Sequence, residues 1–163
     1  MSTSAVISRP IPTKLYPMPY HRMSDDEVWA FLTATPPHTG KVATVRGDGR
    51  PHVAPVWYVV DDADGTIVFN TGENTVKGRN LRRAGYAAMC VDDERPPFSF
   101  VVVEGPVTLN DDMDELRRWA TAIGGRYMGE HEAEAFGARN AVPGELVARL
   151  RPERVTSAKD VAD

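Results

Sequence analysis

Short β-prone apolar runs recur along most of the chain, separated by turn residues, the pattern that predicts β-strands. Val42 to Val45 is the first run, Val53 to Val60 the second and Thr66 to Asn70 the third. Tyr86 to Val91 follows, then a long run from Phe98 to Leu109, and Leu146 to Leu150 closes the series. Gly47-Asp48-Gly49 is a strong hairpin signal, and Asp61 to Gly65 marks another turn. Short strands joined by tight turns predict an antiparallel barrel or sandwich instead of a parallel sheet. Pro51 and Pro55 cannot donate to a ladder, so the second strand belongs at an edge or at a bulge. Its unpaired backbone can face a ligand, or the strand can be an ordinary edge.

Two windows switch to the helical period. Ser24 and Glu27 read as a capping box, with Met23 and Val28 as a hydrophobic staple. Val28, Phe31 and Leu32 then share a face with Trp29 beside it, and Pro36-Pro37 ends the segment. The second helix spans Asp111 to Tyr127, opened by Asp112 and Glu115, with Leu116, Trp119, Ala120, Ile123 and Tyr127 along one face. Gly124-Gly125 is expected to weaken its last turns. Residues 128–144, with Gly129, Gly137, Pro143 and Gly144, read as loops and a short helical turn. Residues 1–22 carry four prolines and no sustained period, predicting an irregular arm ahead of a single domain at 23–163.

Composition narrows the classes. A formal charge of −4 argues against a general nucleic-acid binder. The single cysteine, Cys90, excludes an intrachain disulfide framework and suits a reducing compartment. No apolar run approaches the roughly 20 residues of a membrane span, and no signal-peptide core is evident, which predicts a soluble, cytoplasmic protein. His21, His38, His52 and His131 are scattered without metal-ligand spacing. There is no phosphate-binding GKS or GKT, no nucleophile elbow and no dinucleotide fingerprint. Any enzyme chemistry therefore points to a bound cofactor. Tyr58 and His52 are proton-donor candidates by residue type alone.

The local exception to the acidic background is a basic segment. Lys77, Arg79, Arg82 and Arg83 fall close together, with no acidic side chain between Asn74 and Arg83. Asn74 or Thr75 can cap a helix there, and a helix N-terminus beside a lysine favours phosphate through N–H donors, dipole and charge. The alternative is a solvated basic face, with Arg83 on its outward side.

Four elements in order carry a family resemblance: GRPHVAPVWYV, IVFNT, VKGRNLRR and FVVVEGPV. Together they resemble the split β-barrel of the pyridoxamine 5′-phosphate oxidase superfamily, and more closely its actinobacterial branch dependent on the deazaflavin coenzyme F420. The resemblance covers Ser24 to Val155. It implies a mainly β (α+β) fold, a six-stranded antiparallel split barrel with a short N-terminal helix and peripheral helices. It also implies a homodimer with cofactor sites at the interface, acting on a small-molecule substrate without nucleic acid or membrane. By position, Lys77 is implied to bind the cofactor phosphate with Thr75, while Asn70 and Thr71 lie along the ribityl-type chain. Ala54, Pro55 and Val56 are implied to present backbone to the ring system, and Phe98 and Phe100 to face it from the partner chain. Arg79 and Arg82 are implied to reach the phosphate or a longer acidic tail. Arg139 and Asn140 carry no assigned role.

No counterpart of the additional C-terminal segment of pyridoxamine phosphate oxidases proper is recognisable in these residues, and the second and third strands offer only Arg50 as a basic residue. Both features favour the deazaflavin, F420, over the alternative FMN, and hydride transfer to a small organic acceptor over vitamin B6 oxidation. An FMN-binding oxidase or reductase and a non-enzymatic cofactor carrier remain the other readings.

Overall fold

The computed structural model describes residues 21–162. The irregular arm expected at 1–22 lies outside the described residues except for His21 and Arg22. In chain order the elements are α1 (Asp25–Leu32), β1 (Gly40–Val45), β2 (Pro51–Val56), β3 (Tyr58–Val60), β4 (Ile67–Gly72) and α2 (Val76–Ala84). They continue with β5 (Tyr86–Asp93), β6 (Ser99–Asn110), α3 (Met113–Met128), α4 (Glu130–Asn140), β7 (Glu145–Leu150) and β8 (Arg154–Ala158). The strands pair in the order β2-β1-β5-β6-β7-β4-β3, with β8 joined to β6, and every pairing is antiparallel. β2 is an edge, as its two prolines require.

The sheet is a split barrel with eight strands in place of the expected six. One extra strand arises because the predicted run from Val53 to Val60 breaks at Trp57: β2 pairs with β1, whereas β3 turns to pair with β4. The other is β8, whose mixed sequence RVTSA shows little alternation but pairs with Phe100 to Glu104 of β6. β6 serves both halves of the barrel, pairing with β5 over Ser99 to Pro106 and with β7 over Val107 to Asn110. Gly105 permits the crossing, since a Cβ there would lie 1.9 Å from the Arg151 carbonyl oxygen.

The barrel interior is filled by Val42, Tyr58, Phe69, Met89, Val101 and Leu150 among others, and α1 closes one end with Val28, Trp29 and Leu32. Ser24 and Glu27 form the expected reciprocal cap. α3 covers the outside of β3, β4 and β7 through Leu116, Trp119 and Ile123, packed on Val59, Val68 and Val147. Asp112 caps α3, but Glu115 does not complete a capping box: its carboxylate accepts from Trp119 Nε1 at 2.8 Å.

One glycine reading is overturned by packing. α3 runs on through Gly124-Gly125 to Met128, and Glu130–Asn140 is a continuous helix where loops were expected. A Cβ at Gly124 would sit 2.4 Å from Phe136 Cβ, and one at Gly137 would sit 2.0 Å from Thr121 Oγ1. These glycines are contact points between two helices, so their tertiary role outweighs their low helix propensity.

Candidate functional site

The end of β4 and the start of α2 build the site. Thr75 caps α2, its hydroxyl donating to the Gly72 carbonyl oxygen at 2.8 Å and accepting from the Gly78 amide at 2.9 Å. The hydroxyl is thereby committed to the helix start, and its contribution to a ligand is indirect. Gly78 has its acceptor, so the amides of Val76 and Lys77 are the first-turn donors without one inside the helix. No acidic residue stands in that turn. Gly78 lets α2 approach the strand end: a Cβ there would lie 2.2 Å from the Gly72 carbonyl oxygen.

A cleft of about 300 Å³ opens at this corner. Of the residues singled out in the sequence, Pro55, Val56, Asn70, Thr71, Thr75 and Lys77 line it together. Lys77 is half-buried, its Nζ 5.8 Å from the centre of the Phe69 ring. Burial holds its amine below the usual lysine range, while the acid Glu145 counteracts the shift. Burial pushes the Glu145 carboxyl up, with Lys77 pulling the other way.

Asn70 supplies the clearest sign of a ligand. Its Nδ2 and Oδ1 are both buried and have no hydrogen-bond partner. A buried amide left unpaired costs about 1–3 kcal/mol, so a site that retains one is built to receive a donor and an acceptor from something else.

The remaining predicted residues stand elsewhere in the chain. Ala54 is in β2 but does not line the cleft. Arg79 donates to the Asn74 carbonyl oxygen, and Arg82 pairs with Glu73 at 3.4 Å. Arg83 is not a free outward residue: it donates to the Val45 carbonyl oxygen and to Asn80 Oδ1, pinning α2 to β1. Phe98 immediately precedes β6 and Phe100 lies at its start, with β1 and β5 between that strand and β2. Phe98 has φ +62°, uncommon for a bulky residue, and is 40% exposed.

Neither candidate proton donor reaches the cleft. The Tyr58 hydroxyl is buried and donates to the Leu32 carbonyl oxygen at 2.7 Å, and burial raises its pKa. His52 sits on edge strand β2, its Nδ1 buried and unpaired.

The cleft also has an aromatic and helical wall that the sequence reading missed. Trp57 stacks on Tyr127 with ring centres 5.0 Å apart and planes 2° from parallel, and Phe136 approaches it at 5.6 Å. Ala120, Ile123, Phe136 and Asn140 complete the wall from α3 and α4, and Glu145 enters from β7. One signal was available: Trp57 is a large apolar residue where the strand pattern breaks.

Planar aromatics at one part of a cleft, an orphaned amide along it and a lysine with free amides at its end match a flat heterocycle carrying a phosphorylated chain. The chain is 29% identical over 143 residues to the F420H2-dependent biliverdin reductase of Mycobacterium tuberculosis, covering 87% of this chain and 93% of that protein. The crystal structure of a conserved hypothetical protein from the same organism superposes with a TM-score of 0.76 at 24% identity, over 90% of this chain and 91% of that one. An F420 reductase structure superposes with a TM-score of 0.62 at 25% identity, over 86% of this chain and 98% of that one. Residues 24–159 match the family description of pyridoxamine 5′-phosphate oxidase, and the chain belongs to that family.

Proposed function

We propose that the chain is an oxidoreductase that holds the deazaflavin F420 in the Lys77–Asn70 cleft and reduces a small organic acceptor. The observation that carries this reading is the convergence, in one cleft, of the unpaired Asn70 amide with the acid-free, lysine-bearing start of α2. Names borne by similar proteins support the cofactor. Bound there, a reduced deazaflavin supplies hydride. The chain's own residues do the rest. The Val76 and Lys77 amides and the Lys77 ammonium take the phosphate, and the Asn70 amide pairs with the hydroxyl-bearing chain. Trp57 and Phe136 offer flat apolar surface that keeps water from the reacting face. Among the described residues no helix is long and apolar enough to cross a membrane.

The test is anaerobic mixing of the protein with reduced F420 and a panel of conjugated acceptors, followed by the rise in oxidised-deazaflavin absorbance. Turnover that is absent with every acceptor, despite tight binding, favours a carrier. Turnover with reduced FMN in place of F420 favours the flavin reading.

Assembly is part of the same proposal. Val45 and Val53 are 51% and 60% exposed on the β1–β2 edge, and Phe98 is exposed in the turn just before β6. A second copy covering these apolar positions would bring Phe98 and Phe100 toward the partner's cleft, which they cannot reach within their own chain. Light scattering at micromolar concentration is expected to give a dimer. A monomer contradicts a cofactor site shared between copies.

A further inference from the structure

We propose that Glu145 sets the cofactor preference of the cleft by charge, favouring a singly charged phosphodiester over a doubly charged phosphate monoester. The proposal rests on the cofactor reading above and deepens it. Glu145 opens β7 directly opposite Gly72, the residue that ends β4 just before the α2 start. A Cβ placed at Gly72 would meet Glu145 Oε1 and Thr75 Cγ2 at the same 3.2 Å, so the carboxyl and the helix cap share one corner.

The charges around that corner can be assigned one by one. Lys77 comes from α2 and lines the cleft with Glu145. Glu73, in the turn between β4 and α2, is paired with Arg82. Arg79 is turned onto the Asn74 carbonyl oxygen. Among the described residues, Lys77 and Glu145 are the ionisable side chains lining the cleft. The cradle thus offers one ammonium, one carboxyl and two amide donors.

The two cofactor classes differ at this end of the molecule. FMN terminates in a phosphate monoester, which carries about −1.5 to −2 charges near neutrality. The phosphate of F420 is a diester with one charge, which Lys77 matches alone. An ionised Glu145 repels both phosphates in proportion to the charge each carries at the cradle, the acidic tail of F420 lying beyond its diester. A carboxylate in a phosphate cradle weakens binding of any phosphate, and its presence is explained if it excludes the more highly charged one.

Fluorescence titration with F420, FMN and riboflavin, which lacks phosphate, tests this on the wild type, Glu145→Gln and Lys77→Met. Glu145→Gln is expected to tighten FMN about tenfold and F420 about threefold, leaving riboflavin unchanged, because the gain scales with the charge on the phosphate that sits in the cradle. Equal changes for FMN and F420, no change, or a matching change for riboflavin overturns the role of Glu145. The cofactor reading survives those outcomes if Lys77→Met weakens both phosphorylated ligands. Both fall if the wild type binds none of the three.

Discussion

Lys77→Met is expected to weaken F420 binding roughly ten- to hundredfold while leaving the fold as stable as the wild type or slightly more so. The loss corresponds to one charge-assisted contact, about 1.5–3 kcal/mol. The stability half follows from the position of the lysine. The side chain is half-buried with its ammonium 5.8 Å from the centre of the Phe69 ring, so Met retains the apolar stem and removes a partly buried charge. Because burial lowers the folded-state pKa of Lys77, the folded protein binds that proton less tightly than the unfolded chain. Wild-type stability should therefore rise with pH from the lowered folded value towards the ordinary 10.5, and the variant should lack this rise. Urea unfolding across that range measures it. Arg82→Ala is the control: Arg82 is exposed and paired only with Glu73, so about 0.5 kcal/mol or less is expected. Arg83 is unsuitable as a control because it ties α2 to the Val45 carbonyl. A Lys77→Met variant that binds normally would reduce the basic segment to a solvated face.

Gly78→Ala separates local propensity from tertiary fit, because the two predict opposite signs. In an isolated helix alanine gains about 1 kcal/mol over glycine. Here the added Cβ would lie 2.2 Å from the Gly72 carbonyl oxygen and 3.2 Å from that of Glu73, backbone atoms that cannot swing aside. α2 must move off the end of β4, at an overpacking cost of about 1–3 kcal/mol. The expected net result is a loss of stability, with cofactor affinity falling at least tenfold as the Val76 and Lys77 amides leave their positions. A variant that is more stable than wild type in urea would mean that α2 does not rest against the strand end.

How much of this was legible in sequence depended on how local each signal was. The cap at Ser24, the hairpin at Gly47–Gly49, the edge position of β2 and the Thr75 start of α2 are decided by residues within a few positions of one another. All four appear, with the edge taken from the reading of an edge or a bulge for β2 and Thr75 from the pair Asn74 or Thr75. β8 was missed because its stability comes from pairing with β6, fifty residues earlier, and not from its own pattern. α4 was missed because Gly137 was weighed as a helix breaker, whereas it is where Thr121 of α3 fits. The candidate site shows the same division. The side contributed by β2, β4 and α2 was legible because it is nearly contiguous in the chain. The wall of Trp57, Phe136 and Asn140 and the acid Glu145 were not, since they meet the cleft only through the packing of α3 on the barrel and the register of β7 on β4.

The central claim is that the cofactor phosphate sits on the first turn of α2 with its chain along Asn70. Amide chemical shifts report this most directly, recorded on nitrogen-15-labelled protein as F420 is added. The largest changes are expected at the backbone amides of Val76 and Lys77 and at the Asn70 side-chain amide, whose two N–H groups acquire a partner on binding. Shifts that leave these three groups unmoved while perturbing another part of the barrel would contradict it.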